Sequence, residues 1–400
     1  MTIFPPTRAA GLDRLDAFLP RAGLAYARSR NFDRPGHPEV SGLSPYIRHR
    51  LVTETEVLQA VVASHGARAA EKFIQEVYWR TYWKGWLEMR PSVWLTYRAG
   101  LEAARNRLAT EAGLRADWEA ACTGRTGIDC FDHWAREIVQ TGYLHNHARM
   151  WAASIWIFTL RLPWELGADW FLRHLIDGDP ASNTLGWRWV GGLQTPGKTY
   201  LARADNIARY TDGRFQPRGL ATEAPPLDGP PNPPAGPLPA GDPVDRTRPT
   251  GLLLHEEDLC LDWLLDRAPP IAATARRHHV IGRSPLQVAR PVRDFTTGAL
   301  EDAAARHSDR LGAVSQPESL TNWAQGHGLS QIVTAHPPVG PAADALAGEK
   351  PALEAAGIRV ARLIRPEDGA AWPHATRGFF KFKEKIPRLL AALPDRPRAA

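Results

Sequence analysis

The sequence predicts two architectures in one chain: an all-α region over residues 1–215 and a Rossmann-like α/β region over 250–400, joined by a linker over 216–249. Three observations carry this reading. In the first region apolar residues recur at helical spacing, and strand-like alternation is scarce. In 216–249, 11 of the 34 residues are proline, a composition that builds no core and describes an extended, semi-rigid connection. From residue 250 onward short apolar runs alternate with helical patterns, the rhythm of a parallel sheet.

Composition narrows the class of molecule. The 400 residues are 44% hydrophobic and 23% charged, as expected of a soluble globular protein. No apolar run approaches the roughly 18 residues of a membrane span, and Met1-Thr2-Ile3-Phe4-Pro5-Pro6 has neither the basic nor the apolar part of a signal peptide. Three cysteines make no disulfide framework, so a cytoplasmic setting is expected. The net charge of +6 permits a nucleic-acid partner without requiring one. Of 15 tryptophans, 12 precede residue 190, which suits either core packing or the binding of flat rings.

The elements follow in order. Helical spacing predicts helices over 9–19, 55–62, 67–89, 131–141, 146–160 and 165–176, with Gly142 as a helix stop. Residues 177–189 read as a loop or turn from their Gly and Pro content. Beyond the linker, 251–255, 331–335 and 358–364 read as strands, and 297–305, 320–327 and 342–356 as helices. Gly357 falls where a helix C-cap calls for glycine. The α/β region has no G-x-G-x-x-G fingerprint.

The candidate chemistry lies in the first region. Residues 177–189 collect Asp177, Gly178, Asp179, Asn183, Trp187 and Trp189. A carboxylate there can accept from an imide N–H or hold an arginine, and a tryptophan can stack on a flat ring or pass an electron; the same residues also make an ordinary polar turn. On the helix over 67–89, Glu76, Arg80 and Trp83 share a face, which is either a cavity wall or a core stripe with a solvated ion pair. Ser41-Gly42-Leu43-Ser44-Pro45-Tyr46 can wrap a phosphate with backbone N–H groups or simply start a helix. His145 and His147, two residues apart with no further ligands nearby, predict no metal site. Gly192 to Thr199 spells G-x-x-x-x-G-K-T, but Pro196 lacks an N–H and no strand precedes it, so it reads as a chance match.

Four blocks stand in fixed order: Ser41-Gly42-Leu43-Ser44-Pro45-Tyr46, Glu76-Val77-Tyr78-Trp79-Arg80, Leu144-His145-Asn146-His147-Ala148-Arg149-Met150, and the stretch from Asp177 to Trp189. Together they resemble the FAD-binding helical domain of the photolyase/cryptochrome family, over about residues 4–215. Leu252 to Leu261 resembles the first strand and turn of that family's α/β antenna domain, where a His/Arg-Arg-Asp-Leu-Arg-Leu pattern usually stands. Residues 375–383 resemble its closing segment. Photolyases carry the antenna domain first, so the resemblance implies a circular permutation, with the proline-rich linker making the new connection.

The resemblance implies roles. Tyr26, Ser41, Gly42, Leu43 and Ser44 hold the FAD phosphates and ribose; Asp177 pairs with Arg149 beside the flavin ring. Asp179 accepts from flavin N3–H, with Gly178 between the two carboxylates. Asn183 faces flavin N5. Trp187 is the nearest electron donor and Trp164 the second. The third position falls near Leu108, leaving Trp94, Tyr97 or Trp118 as candidate exits. For DNA carrying a cyclobutane pyrimidine dimer, single- or double-stranded, it implies Glu76 as the catalytic carboxylate, Trp79 and Trp189 as stacking platforms, and Met150, Arg30 and Asn146 as contacts. An antenna chromophore is allowed, its identity unspecified. Four departures bear on repair: Thr81 for an acidic residue, His147 for an arginine, Leu185 for a glycine, and an altered run over 190–210. The expected function is therefore light-driven, FAD-dependent repair of pyrimidine dimers. The alternative is a cryptochrome-like blue-light receptor that binds FAD and signals through a protein partner.

Overall fold

The computed structural model describes residues 3–394. The helical region is built from α1 (Arg8–Phe18), α2 (Glu54–Ala69), α3 (Glu71–Glu88), α4 (Ser92–Thr110), α5 (Ala112–Thr123), α6 (Asp129–Thr141), α7 (Asn146–Ser154), α8 (Trp164–His174) and α9 (Pro180–Val190). The local sequence explains their ends. The Thr7 hydroxyl accepts from Ala10 N–H to start α1. Thr53 and Glu56 form a reciprocal capping box on α2. Gly142 stops α6 in the left-handed region at φ 68°, as its position predicts. The stretch read as one helix over 146–160 divides, because a π-helical turn over Ile155–Thr159 follows α7.

The segment 177–189 departs from the loop reading. Asp179 is extended and its side chain caps a new helix, while Pro180 occupies the first turn, where a missing N–H costs nothing. Only 175–179 forms the turn; Asn183, Trp187 and Trp189 ride on α9.

Residues 216–249 contain no helix or strand, yet they are pinned along their length. Leu227 N–H donates to Gly191 O, Gly236 N–H to Met89 O, and Asp242 N–H to Arg362 O. The α/β region then gives β1 (Thr250–Leu254), β2 (Ile271–Arg276), α10 (Arg290–Arg306), β3 (Val314–Ser315), β4 (Gln331–Ala335), α11 (Pro341–Ala355), β5 (Arg359–Leu363) and α12 (Phe379–Lys383). All strand pairs are parallel, in the order β3-β2-β1-β4-β5. This is the doubly wound arrangement expected of the α/β pattern. The sequence reading did not register β2 and β3, whose residues Ile271-Ala272-Ala273-Thr274-Ala275-Arg276 and Val314-Ser315 are short and only partly apolar.

Strand periodicity separates two cores. Leu252 and Leu254 join a core continuous with the helical region, whereas Leu253 packs with Ile332 and Trp323 on the opposite face. Buried charges cross between the regions as well. Arg50, held at φ 51°, reaches Asp258 at 3.1 Å and Asp368 at 2.7 Å, and Arg365 pairs with Asp258 at 2.7 Å.

Candidate functional site

The turn between α8 and α9 places two carboxylates in different company. Asp177 is buried. Its Oδ2 accepts from Arg149 Nη2 at 2.8 Å, and its Oδ1 has no partner. Burial pulls Arg149 down, but the adjacent Asp177 charge outweighs it and holds the guanidinium above its ordinary value. Gly178 is required by close approach: a Cβ there would lie 2.9 Å from Leu175 O and 3.0 Å from Leu172 O.

Asp179 faces inward. Its Oδ1 accepts from Ser182 N–H at 2.9 Å, and Lys84 Nζ lies 2.9 Å from Oδ2 in an ion pair without aligned hydrogen-bond geometry. Arg48 and Arg80 stand 3.9 and 4.0 Å away. Burial raises the Asp179 carboxyl, yet Lys84, Arg80 and Arg48 together hold it far below the usual carboxylate range. Asp179 thus secures the turn, and Asp177 Oδ1 is the acceptor left open beside it.

Asn183 is buried on α9, and its Nδ2 donates to Ala168 O at 2.8 Å. That bond joins α9 to α8 and leaves the amide oxygen as the remaining polar end. Trp187 follows one turn later, packed edge-on against Trp156 at 6.1 Å and Phe171 at 5.1 Å. A Cβ on Gly167 would overlap the Trp187 ring, so glycine there lets the indole seat against α8. Trp156 stacks in turn on Trp170 at 5.7 Å and 17°. Trp164 packs on Tyr97 at 5.7 Å, and Tyr97 on Trp94 at 5.4 Å. The rings touching Trp187 are therefore ones the sequence reading did not name.

The expected phosphate end has a recognisable form. Leu43 N–H donates to Ser41 Oγ at 3.2 Å, and Gly42 adopts φ +61°. A Cβ on Gly42 would meet Arg14 Nη1 at 2.5 Å, so the Arg14 guanidinium rests on this turn. Leu43 is buried and Ser44, which opens the short helix Ser44–Arg48, is exposed. Tyr26 packs edge-on to Phe18 and Phe73. A run of contacts joins the two ends of the site: Arg14 lies over Phe4, Phe4 packs on Tyr143, and Arg149 lies over Tyr143. A cavity of about 950 Å³ lies elsewhere, between α2, α3 and the segments after β1 and β5. Tyr78, Thr81, Trp263 and Asp368 line it, and none of the expected FAD residues does.

The expected DNA-facing residues are less free. Glu76 forms an ion pair with Arg30, and burial raises its carboxyl above the ordinary value although Arg30 opposes this. Trp79 does not present an open face on both sides. Phe379 of α12 stacks on it at 3.6 Å and 12°, because residues 375–383 lay their aromatic side chains across α3. Trp189, half-buried, stacks on Tyr200 from the altered run after α9 at 5.6 Å and 28°. Asn146 is exposed and Met150 half-buried. His147 turns inward, stacked on Trp151 at 4.1 Å with Nδ1 3.1 Å from Asn31 O. Among the described residues no group of three His, Cys, Asp or Glu could hold a metal ion.

Sequence reasoning missed Arg14, Arg48, Lys84 and Glu257. Glu257 carried a usable signal, since it stands where the antenna-domain pattern has arginine. That reversed charge accepts both ends of the Arg48 guanidinium, at 2.6 and 2.8 Å.

A family model for the FAD binding domain of DNA photolyase matches residues 73–218. The deoxyribodipyrimidine photo-lyase of Streptomyces griseus is 30% identical over 208 residues, covering 48% of this chain and 44% of that protein. That of Thermus thermophilus is 36% identical over 200 residues, covering 49% and 45%. A class III photolyase from Agrobacterium tumefaciens of known structure is 26% identical, with a TM-score of 0.40, covering 52% of this chain and 45% of that one. The match thus spans less than half the length of these relatives. Through its helical region, the chain is similar to the FAD-binding part of the photolyases.

Proposed function

We propose that the protein binds FAD between α7, α8 and α9 and uses it to repair cyclobutane pyrimidine dimers in DNA with light. The observation that carries this is the buried Asp177, paired with Arg149 and keeping one open acceptor, Oδ1, in the region matched by the FAD binding domain. The donor set fits a flavin edge. Asp177 Oδ1 offers an acceptor for a ring N–H, and the Asn183 oxygen offers a second. Arg14 and the Ser41–Gly42 turn suit a phosphate, with Tyr26, Leu43 and Ser44 beside them. Bound and reduced, FAD supplies the light-driven electron that splits the dimer.

The rest is the work of this chain. Glu76, with its carboxyl raised, can donate to a pyrimidine carbonyl when protonated or accept from its imide N–H when charged. Arg30 and Asn146 stand at the rim, where a phosphate contact is salt-sensitive. Flipping the dimer costs roughly a few kcal/mol, and stacking on Trp79 and Trp189 returns about 1–3 kcal/mol per base. Trp187, with Trp164 as a second donor, would reload the flavin with electrons. We read 1–215 as the FAD-binding unit, 216–249 as the new connection of a circular permutation, and 250–400 as the antenna-type unit. No described helix is long and apolar enough to cross a membrane, and a cytoplasmic setting is part of this proposal.

Illumination of the reduced, FAD-loaded protein with dimer-containing DNA, single- and double-stranded, tests it. Recovery of thymine absorbance is expected, and none in either substrate rejects repair. The second reading, a blue-light receptor acting through a protein partner, is favoured by one observation: both proposed stacking platforms already hold an aromatic ring from the same chain.

A further inference from the structure

We infer that the α/β region builds the FAD-facing turn, with Glu257 and Arg283 as its positioning residues. The inference rests on the flavin reading above, and it adds a role for residues far outside the matched helical region.

The turn at 175–179 has few bonds of its own. Gly178 N–H donates to Leu175 O at 3.0 Å, and Ile176 N–H to Gly142 O at 2.8 Å. Arg149 and the Ser182 N–H hold the carboxylates of Asp177 and Asp179 from within the helical region, and further contacts come from behind. Gly178 O accepts from Arg48 Nε at 2.9 Å, and Asp179 Oδ2 pairs with Lys84 at 2.9 Å. Neither cation is held by the helical region alone. Glu257, on the loop after β1, takes both Nη atoms of Arg48 and lies 3.4 Å from Lys84 Nζ. One carboxylate therefore aims two cations at two consecutive residues of the turn. All four side chains are at most 4% exposed, so bulk solvent screens these charges little.

Three further contacts come from the same direction. Arg283 Nη1 donates to Leu175 O at 3.3 Å. Ala289 N–H donates to Arg173 O at 2.9 Å, at the end of α8. Gly340 packs so closely on Pro180, the first residue of α9, that a Cβ would lie 2.7 Å from its ring. The turn is thus gripped at both ends and in the middle by residues that follow β1, β2 and β4. Arg283 is almost wholly buried, and burial with the nearby Arg48 pushes it down to about 10. A cation in that setting is kept where Glu256 and Glu257 offset it. Removing the Glu257 charge would leave Arg48, Lys84 and Arg283 with only Asp179 and Glu256 to offset them, and the turn would shift to relieve them.

The full-length protein carries the test. Glu257→Gln, Glu257→Asp, Arg283→Met and Asp368→Asn are compared for FAD affinity by titration of flavin fluorescence. Hydrogen exchange of peptides covering 175–183 is followed in the FAD-free protein. Asp368→Asn is the control, since it breaks an ion pair between the regions, with Arg50, without touching the turn. Glu257→Gln and Arg283→Met are expected to weaken FAD by about tenfold or more and to speed exchange at 175–183. Glu257→Asp recovers part of both effects, and Asp368→Asn changes neither. Wild-type affinity and exchange in both Glu257→Gln and Arg283→Met overturn the inference. So does an equal effect from Asp368→Asn, which would mean that any loosening of the interface suffices. If the wild-type protein takes up no FAD, the flavin reading fails, and the exchange data still decide whether Glu257 and Arg283 hold the turn.

Discussion

The turn expected to face FAD and the surface expected to face DNA are built in opposite ways. Around Asp177 the polar groups are buried, paired and braced from behind, and one acceptor is left open. Around Trp79 and Trp189 the required residue types are present, but Phe379 and Tyr200 of the same chain occupy their faces. Keeping a residue and keeping its surface available are therefore separate matters. The first can be read from a motif. The second depends on what the divergent segments, 190–210 and 375–383, lay across it.

Substitutions can break this contrast at its two ends. The largest effect is expected from Asp177→Ala, which strands the Arg149 guanidinium in a largely buried site. Losing one partner of such a pair costs about 3–5 kcal/mol. Arg149 retains 24% exposure, so the lower end applies. A fall in the chemical-denaturation midpoint together with loss of FAD uptake is the expected outcome; unchanged FAD uptake would remove Asp177 from the site.

Phe379→Ala tests the other end. It should cost about 3 kcal/mol of stability as a buried aromatic is lost. The same change uncovers Trp79 and is expected to strengthen binding of dimer-containing single-stranded DNA about tenfold, within the range of one base stack. A variant that is less stable but binds no better would show that Trp79 is a packing residue only.

His37 packs on Tyr143 and His145, just ahead of the helix that carries Asn146, Arg149 and Met150. It stacks on His145, and its Nε2 lies 2.7 Å from Glu137. Burial lowers His37, but Asp33 and Glu137 outweigh that and lift it to about 9. A raised histidine stabilises the fold fully below its unfolded value near 6.5 and loses that contribution as pH rises through 9. Stability should decline across that window by up to about 3 kcal/mol, and His37→Gln should flatten the decline. His145, pushed down to about 4 chiefly by burial, stays neutral there and does not contribute to it.

The smallest expected change is Gly167→Ala. A methyl group there displaces the Trp187 ring at a cost of about 1–3 kcal/mol. Photoreduction of bound flavin should slow if Trp187 is the nearest donor. A normal rate would place electron entry elsewhere in the aromatic cluster.

How far the sequence could be read follows from the same physics. Helices with clear apolar spacing and glycine stops were legible, and so was the α/β rhythm after the proline-rich stretch, down to the Gly357 helix end. The turn at 177–189 was half legible. Asp177, Gly178 and Asp179 do form a turn, but Asp-Pro acts as a helix start, and the glycine and proline signals concealed α9. The pairing of Asp177 with Arg149 followed from the family resemblance. The inward engagement of Asp179 did not, because Lys84 meets it across α3 and α9 from far along the chain, and Glu257 reaches Lys84 only after the two architectures dock. Phe379 over Trp79 is hidden for the same reason: 300 residues separate them in the chain, and no local pattern joins them.

FAD uptake is the most direct measurement of the central claim. FAD titrated into the purified, FAD-free protein is predicted to bind one molecule per chain in the wild type and to fail in Asp177→Ala. A wild-type protein that takes up no FAD, or an Asp177→Ala variant that binds it as tightly, would contradict the account.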